Sequence, residues 1–182
     1  MINKIPDDIV HYSRGEPFRS ITSLRGEHLN LALKNLNESN AWGLARLADS
    51  FYLCQRRQVE LEMRARFVGM GGKPILENPI YFFLGRHPGF EEDKRNIRHM
   101  ISLQDIDPLT ISFSYGDSML CFHEGNRILG GEKYQSPHCT NLYSLRNLSQ
   151  LYASESFPAT SALHIEAHLW VTPDLRTVKR IE

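Results

Sequence analysis

The chain has 182 residues, 41% hydrophobic and 23% charged, the balance of an ordinary globular domain, which excludes intrinsic disorder over most of the length. Twenty-one basic residues offset twenty-one acidic ones, so no global pull toward nucleic acid or an anionic membrane follows, although a local basic groove stays open. Three cysteines, Cys54, Cys121 and Cys139, without CxxC spacing, argue against a disulfide framework and for a reducing compartment.

The opening residues, Met1 to Asp8, lack the continuous apolar stretch of a signal peptide. The longest apolar run, Ile80-Tyr81-Phe82-Phe83-Leu84, is far too short to span a bilayer. A cytoplasmic protein with no membrane contact is therefore expected. No repeat, low-complexity tract or linker interrupts the chain, which reads as one domain over 1–182.

In chain order, Ile9 to Gly15 reads as a short strand entering a Gly-containing turn. Glu27 to Leu36 follows with Leu29, Leu33 and Leu36 at helical spacing, and Ser39 and Asn40 can cap a further helix from Ala41. From Ser50 to Met70 two patterns compete. Val59, Leu61, Met63, Ala65 and Phe67 alternate like a strand. The run from Ser50 to Val68 holds no Gly or Pro, however, and is too long for a strand. Glu60–Arg64 and Glu62–Arg66 have the i,i+4 order that favours a helix, and Gly71-Gly72 supplies a stop. The reading is a helix, apolar on two faces and so sandwiched between other elements. Arg56, Arg57, Arg64 and Arg66, balanced by Glu60 and Glu62, read as its salt-bridged surface.

Strands are expected over Ile80–Leu84, Arg98–Leu103 and Thr110–Tyr115, the last with Thr110, Ser112 and Ser114 on one face and Ile111, Phe113 and Tyr115 on the other. Met119–His123 and Arg127–Leu129 read as a hairpin around Glu124-Gly125-Asn126. Tyr143–Ala153 reads as a short amphipathic helix, and Ala162–Val171 as a strong late strand stopped by Pro173. The sum is an α+β fold: a compact single domain, mainly antiparallel sheet, with an N-terminal helical segment. No GxGxxG, P-loop or HExxH is present, which leaves Rossmann dinucleotide binding, Walker-type phosphoryl transfer and zincin chemistry without support.

On the late strand His164, Glu166, His168 and Trp170 share one face, and Leu163, Ile165, Ala167 and Leu169 share the other. Two imidazoles around a carboxylate make either a solvated outer face or, in a concavity, a catalytic group. His11, Tyr12 and Arg14 on the opening strand are either edge polarity or ligand anchors, with Arg19 close by. Ser112 and Ser114 must meet solvent or line a cleft. Gly116-Asp117-Ser118 is similar to the nucleophile motif of one esterase family, but it stands mid-chain without a downstream Asp-x-x-His and reads as a turn. Cys121, His123, His138 and Cys139 fit no structural-zinc spacing. His164 with His168 is the better metal candidate, but spacing alone does not establish it, and no metal is expected.

Three of these pieces, in this order, resemble the ADP-ribosyltransferase superfamily, in particular bacterial toxin branches that modify nucleic acid. They are His11-Tyr12-Ser13-Arg14 on the opening strand, Ile111-Ser112-Phe113-Ser114 mid-chain, and Glu166 on the late strand. Pro79-Ile80-Tyr81-Phe82 is similar to an aromatic strand of those toxins. The resemblance implies NAD as the cofactor and a macromolecular acceptor: DNA, RNA or protein. An antitoxin or regulatory protein is a further partner it implies. Glu166 would be the catalytic carboxylate, with His164 standing where many members carry Glu or Gln. His11 and Tyr12 would lie at the NAD site with Arg14 on the pyrophosphate, Tyr81 stacking on nicotinamide, and Ser112 and Ser114 shaping the nicotinamide pocket. The alternatives are a hydrolase or nuclease using His164, Glu166 and His168, and a binding or regulatory module without catalysis.

Overall fold

Strand alternation builds the sheet and sorts its side chains onto two faces. In the computed structural model, which describes residues 5–38, 50–122, 138–153 and 164–181, the strands are β1 (Asp8–Ser13), β2 (Ile80–Leu84), β3 (Ile97–Ser102), β4 (Ile111–Tyr115), β5 (Leu142–Ser144), β6 (Ile165–Leu169) and β7 (Lys179–Ile181). The helices are α1 (Gly26–Glu38), α2 (Ser50–Gly69), α3 (Pro88–Glu91), α4 (Ser118–Phe122) and α5 (Leu145–Ala153). All strand pairs are antiparallel, in the order β5-β4-β6-β2-β1-β3-β7. The molecule is an α+β single domain.

One face carries the main core. Ile9, Ile80, Phe82, Ile111, Phe113, Ile165, Ala167 and Leu169 pack there with Leu148 of α5. The opposite face receives α2, through Val59, Met63 and Phe67 against Trp170, Met119 and Leu142. The register places Glu166 opposite Phe83 on β2 and opposite Ser114 on β4, and His168 opposite Tyr81 and Ser112. These residues all lie on the α2 face.

Helix α2 forms as its Gly-free length predicts. It ends in a Schellman-type close: Gly72 N–H donates to Phe67 C=O (2.9 Å) and Gly71 N–H to Val68 C=O (2.9 Å), with Gly71 at φ 89°. A Cβ on Gly72 would fall 2.6 Å from the Phe67 ring, so glycine is required there for space. The expected sandwich does not appear among the described residues. Phe51 and Leu61 remain 67% and 68% exposed, and the helix buries one stripe.

Other differences have local causes. Met119–Phe122 is helix α4, not a strand. Asp117 caps it, its carboxylate accepting from Met119 N–H (2.8 Å) and its carbonyl from the Leu120 and Cys121 N–H groups (3.0 and 2.9 Å), and this cap outweighs the local alternation. The expected partner strand Arg127–Leu129, its turn at 124–126, the cap and helix start at 39–41, His123, and the first two residues of the late strand lie outside the described residues. Leu142–Ser144 pairs with β4 as β5 before α5 begins, and β7 and α3 add elements that no periodicity announced. Among the described residues no helix is long and apolar enough to cross a membrane.

His11 holds the main-core side of the sheet. Its Nδ1–H donates to Tyr81 C=O (2.8 Å), and its Nε2 accepts from Phe18 N–H (3.2 Å), which fixes Phe18 at φ 61°. Both nitrogens are used by the neutral ring, and burial lowers its pKa from 6.5 to about 4. Burial also lowers His87 to about 4 and His99 below its ordinary value. The unfolded chain takes up these protons near 6.5 and the folded chain does not. Stability is therefore present above about pH 6.5 and lost as the pH falls toward 4. His11 alone contributes on the order of 3 kcal/mol across that window. Urea midpoints are expected to fall steeply between pH 7 and pH 4, and less steeply in His11→Gln. A midpoint independent of pH would contradict this.

Candidate functional site

Between α2, α3 and the sheet lies a cluster of polar groups rarely found so deeply buried. Glu166, on central strand β6, is its focus. One oxygen, Oε2, accepts Ser118 N–H (3.0 Å) and lies 3.5 Å from His168 Nε2. Its side chain keeps 11% exposure, so the carboxylate is not sealed. Burial raises its pKa, but His168 and the charges of Arg56 and His164 prevail and bring it down to about 2. The carboxylate is thus ionised in a largely dry site.

Arg56 comes from α2. Its guanidinium lies 4.1 Å over the Tyr81 ring, donates to Tyr52 Oη (2.9 Å) and faces Glu60 at 3.5 Å. Glu60 is fully buried, accepting from Tyr81 Oη–H (2.9 Å) and Asn78 Nδ2–H (2.7 Å). Burial is the largest influence on Arg56 and opposes its charge, but the neighbouring tyrosines and carboxylates outweigh it. Asp117 completes the acidic part of the cluster. Burial first, then the Glu166 charge, raises its carboxyl to about 6. Next to Glu166 the His164 ring meets His87, Nδ1 to Nε2, at 3.2 Å.

The structure brings Glu166, His164, Tyr81, Ser112 and Ser114 to one face. Tyr81 is covered by Arg56 on one side and meets the His168 ring edge-on (5.4 Å, 85°), so it supports Arg56 instead of offering an open stacking platform. Ser112 Oγ accepts Trp170 Nε1–H (2.8 Å) and lies 3.4 Å from His168 Nδ1. Ser114 Oγ–H donates to Gly116 C=O (3.2 Å) beside Glu166.

The opening strand divides. His11 lies on the far side of the sheet from Glu166, because it pairs across the face of Phe82, Ile9 and Ala167. It cannot share a pocket with the carboxylate. Tyr12 is on the Glu166 side, where its hydroxyl donates to Glu91 (2.7 Å) and accepts His87 N–H (3.0 Å). Arg14 is held by Asp93 and by Asn96 (3.0 Å), with Nη1 buried and without a partner. Arg19 pairs on the surface with Glu16. His164 and His168 engage different partners and do not converge on one atom. Among the described residues no group of three His, Cys, Asp or Glu could hold a metal ion.

Sequence reasoning missed Arg56, Glu60, Tyr52, Asp117 and His87. The first two had a signal: Leu53, Arg56, Glu60, Met63 and Phe67 follow a 3-4-3-4 spacing, one stripe of a helix. Arg56 and Glu60 were therefore destined for the buried side, not for the salt-bridged surface expected of them. The surface reading holds for Arg66, which pairs with Glu62, while Arg64 donates to the Leu76 and Pro74 carbonyls (3.3 and 3.2 Å).

Beside the cluster, Cys121 and Cys139 are buried and not joined in a disulfide, and their Sγ atoms lie 2.9 Å apart. The thiol oxidant diamide, taking up two hydrogens, is expected to join them in a disulfide, visible as a two-hydrogen loss in the mass of the Cys121–Cys139 peptide pair. Two separately alkylatable thiols after exhaustive treatment of the folded protein would contradict the placement.

Compared with known proteins, the chain matches no family model, no curated protein and no solved structure.

Proposed function

We propose that the chain is an ADP-ribosyltransferase that moves ADP-ribose from NAD to a macromolecular acceptor, with nucleic acid the first candidate and Glu166 the catalytic carboxylate. One observation carries this reading: the Glu166 carboxylate is nearly buried on a central strand, accepts the Ser118 N–H at 3.0 Å and lies 3.5 Å from His168 Nε2. Breaking the bond between nicotinamide and ribose leaves positive charge on the ribose, as in glycoside cleavage. A preorganised negative charge in a low-dielectric site stabilises that charge without reorganisation cost.

The rest of the chain supports the carboxylate. Glu60 and Tyr52 hold Arg56, and His168 first, then Arg56, favour the charged form of Glu166. Ser114 stands directly across from Glu166 on β4, where a ribose hydroxyl would meet both. Arg14 Nη1 offers an unused donor suited to a phosphate oxygen. His11 has no part in binding NAD in this reading, since it buttresses the sheet from behind.

The test is incubation with NAD labelled in its adenylate half, together with pools of DNA, RNA and protein. Label is expected on one pool with wild type and absent with Glu166→Ala. Label on no pool, or equal label with both proteins, would overturn the proposal.

A further inference from the structure

We propose that helix α2 docks against α2 of a second copy of this chain, side by side and parallel, so that the protein forms a two-fold dimer through a short coiled-coil seam. The seam lies on the side of α2 turned away from the sheet and from Glu166, so the transferase reading has no bearing on it.

A helix on the surface of a domain buries one apolar stripe and gives its opposite stripe, rich in charge, to water. Helix α2 departs from this. Its buried side carries Leu53, Val59, Glu60, Met63 and Phe67. The stripe it turns to solvent is Phe51, Cys54, Gln58, Leu61, Ala65 and Val68, every one of them exposed. All but Gln58 are apolar, and Leu61 and Val68 keep 68% and 49% of their surface in water. The charged residues Arg57, Glu62 and Arg64 flank this stripe instead of forming it.

Successive members of the stripe are three, four, three, four and three residues apart, the repeat of a coiled-coil seam. It runs for about 26 Å along the 20-residue helix. The complement of such a seam is a helix with the same repeat, and a second α2 supplies one. In a parallel two-fold pair each seam residue meets its own copy. Leu61 and Val68 then pack on their copies. Gln58 is the single polar member, and its amide both donates to and accepts from Gln58 of the second copy. One polar residue in a seam fixes the register.

Charge sets the direction. In the parallel pair Arg57 lies beside Glu62 of the second copy, and the contact is made twice. In the antiparallel pair Arg57 would lie beside Arg64 of the second copy, a repulsion made twice. The hydrogen bonds of Arg57 within its own chain go to the neutral Thr22 and Leu24 carbonyls (3.3 and 3.5 Å). Glu62 pairs with Arg66 of its own helix, an exposed contact of little worth that it can share. The parallel register also sets Cys54 against Cys54 of the second copy, whereas the antiparallel one would set it against Ala65.

The interface is one helix pair, so the dimer should be weak, with Kd on the order of 10 µM. Sedimentation equilibrium of the full chain, from about 1 to about 200 µM, should show the mass rising from one chain toward two. Leu61→Glu sets two carboxylates face to face in the seam and should raise Kd at least about 30-fold. Because Leu61 is exposed, its melting temperature at low concentration should stay within about 3 °C of wild type. Diamide at the high concentration, taking one hydrogen from each of two Cys54 thiols, should give a covalent dimer on a non-reducing gel. That band should be absent from Cys54→Ser and from Leu61→Glu. A wild type still monomeric at the highest concentration would overturn the proposal, as would a dimer that Leu61→Glu leaves intact. A dimer lost in Leu61→Glu but never cross-linked through Cys54 would overturn the parallel register.

Discussion

Glu60→Leu is expected to destabilise the fold by about 3–5 kcal/mol, the cost of leaving one member of a buried ion pair without its partner. Glu60 is fully buried and binds Tyr81 and Asn78 as well as facing Arg56. Leucine fills similar space but removes the carboxylate closest to the guanidinium, leaving it between Tyr81 and Tyr52 with Glu166 as its remaining negative neighbour. Most of the loss should return in the double variant Arg56→Met/Glu60→Leu, because two apolar residues can replace a buried pair at little cost. Chemical denaturation of the three variants measures the coupling. A single variant within about 1 kcal/mol of wild type would show that the pair is not buried as described.

Glu166→Gln is expected to leave the fold intact and remove activity. Glutamine keeps an oxygen for the Ser118 N–H and nearly the same volume, so the chain should still fold, with the lost charge costing up to about 3 kcal/mol and lowering the melting temperature by up to about 10 °C. In the proposed reaction the charge that would face the developing ribose cation is gone, and NAD cleavage should fall about 10³-fold. Removing the charge from the other side, by Arg56→Met, should cost stability as well, since Glu60 then loses its cation. The two variants therefore separate a group proposed to act on substrate from one that holds the site. A Glu166→Gln protein with wild-type turnover would remove the carboxylate from the chemistry.

The sheet was legible because period-2 alternation is written plainly at Thr110–Tyr115 and in the late strand, and each face found its partner. The length of α2 and its Gly71-Gly72 stop were legible for the same kind of reason. The stretch Met119–Phe122 was not. Its alternation is local, whereas the Asp117 cap that makes it helical depends on a turn through Gly116 at φ 71°. The site was half legible. Glu166 stood out because a carboxylate between two imidazoles opposite an apolar face is an unusual strand. His11 was misplaced because facing is decided by pairing register, which no single strand reveals. His87 carried no signal, since it sits in a loop beside a four-residue helix and meets His164 only through the fold.

The most direct test of the central claim is release of free nicotinamide from NAD, followed chromatographically with the wild-type chain and with Glu166→Gln at a temperature where both are fully folded. The account predicts steady release by the wild type and release about 10³-fold slower by the variant. NAD left untouched by the wild type, or consumed equally by both proteins, would contradict it.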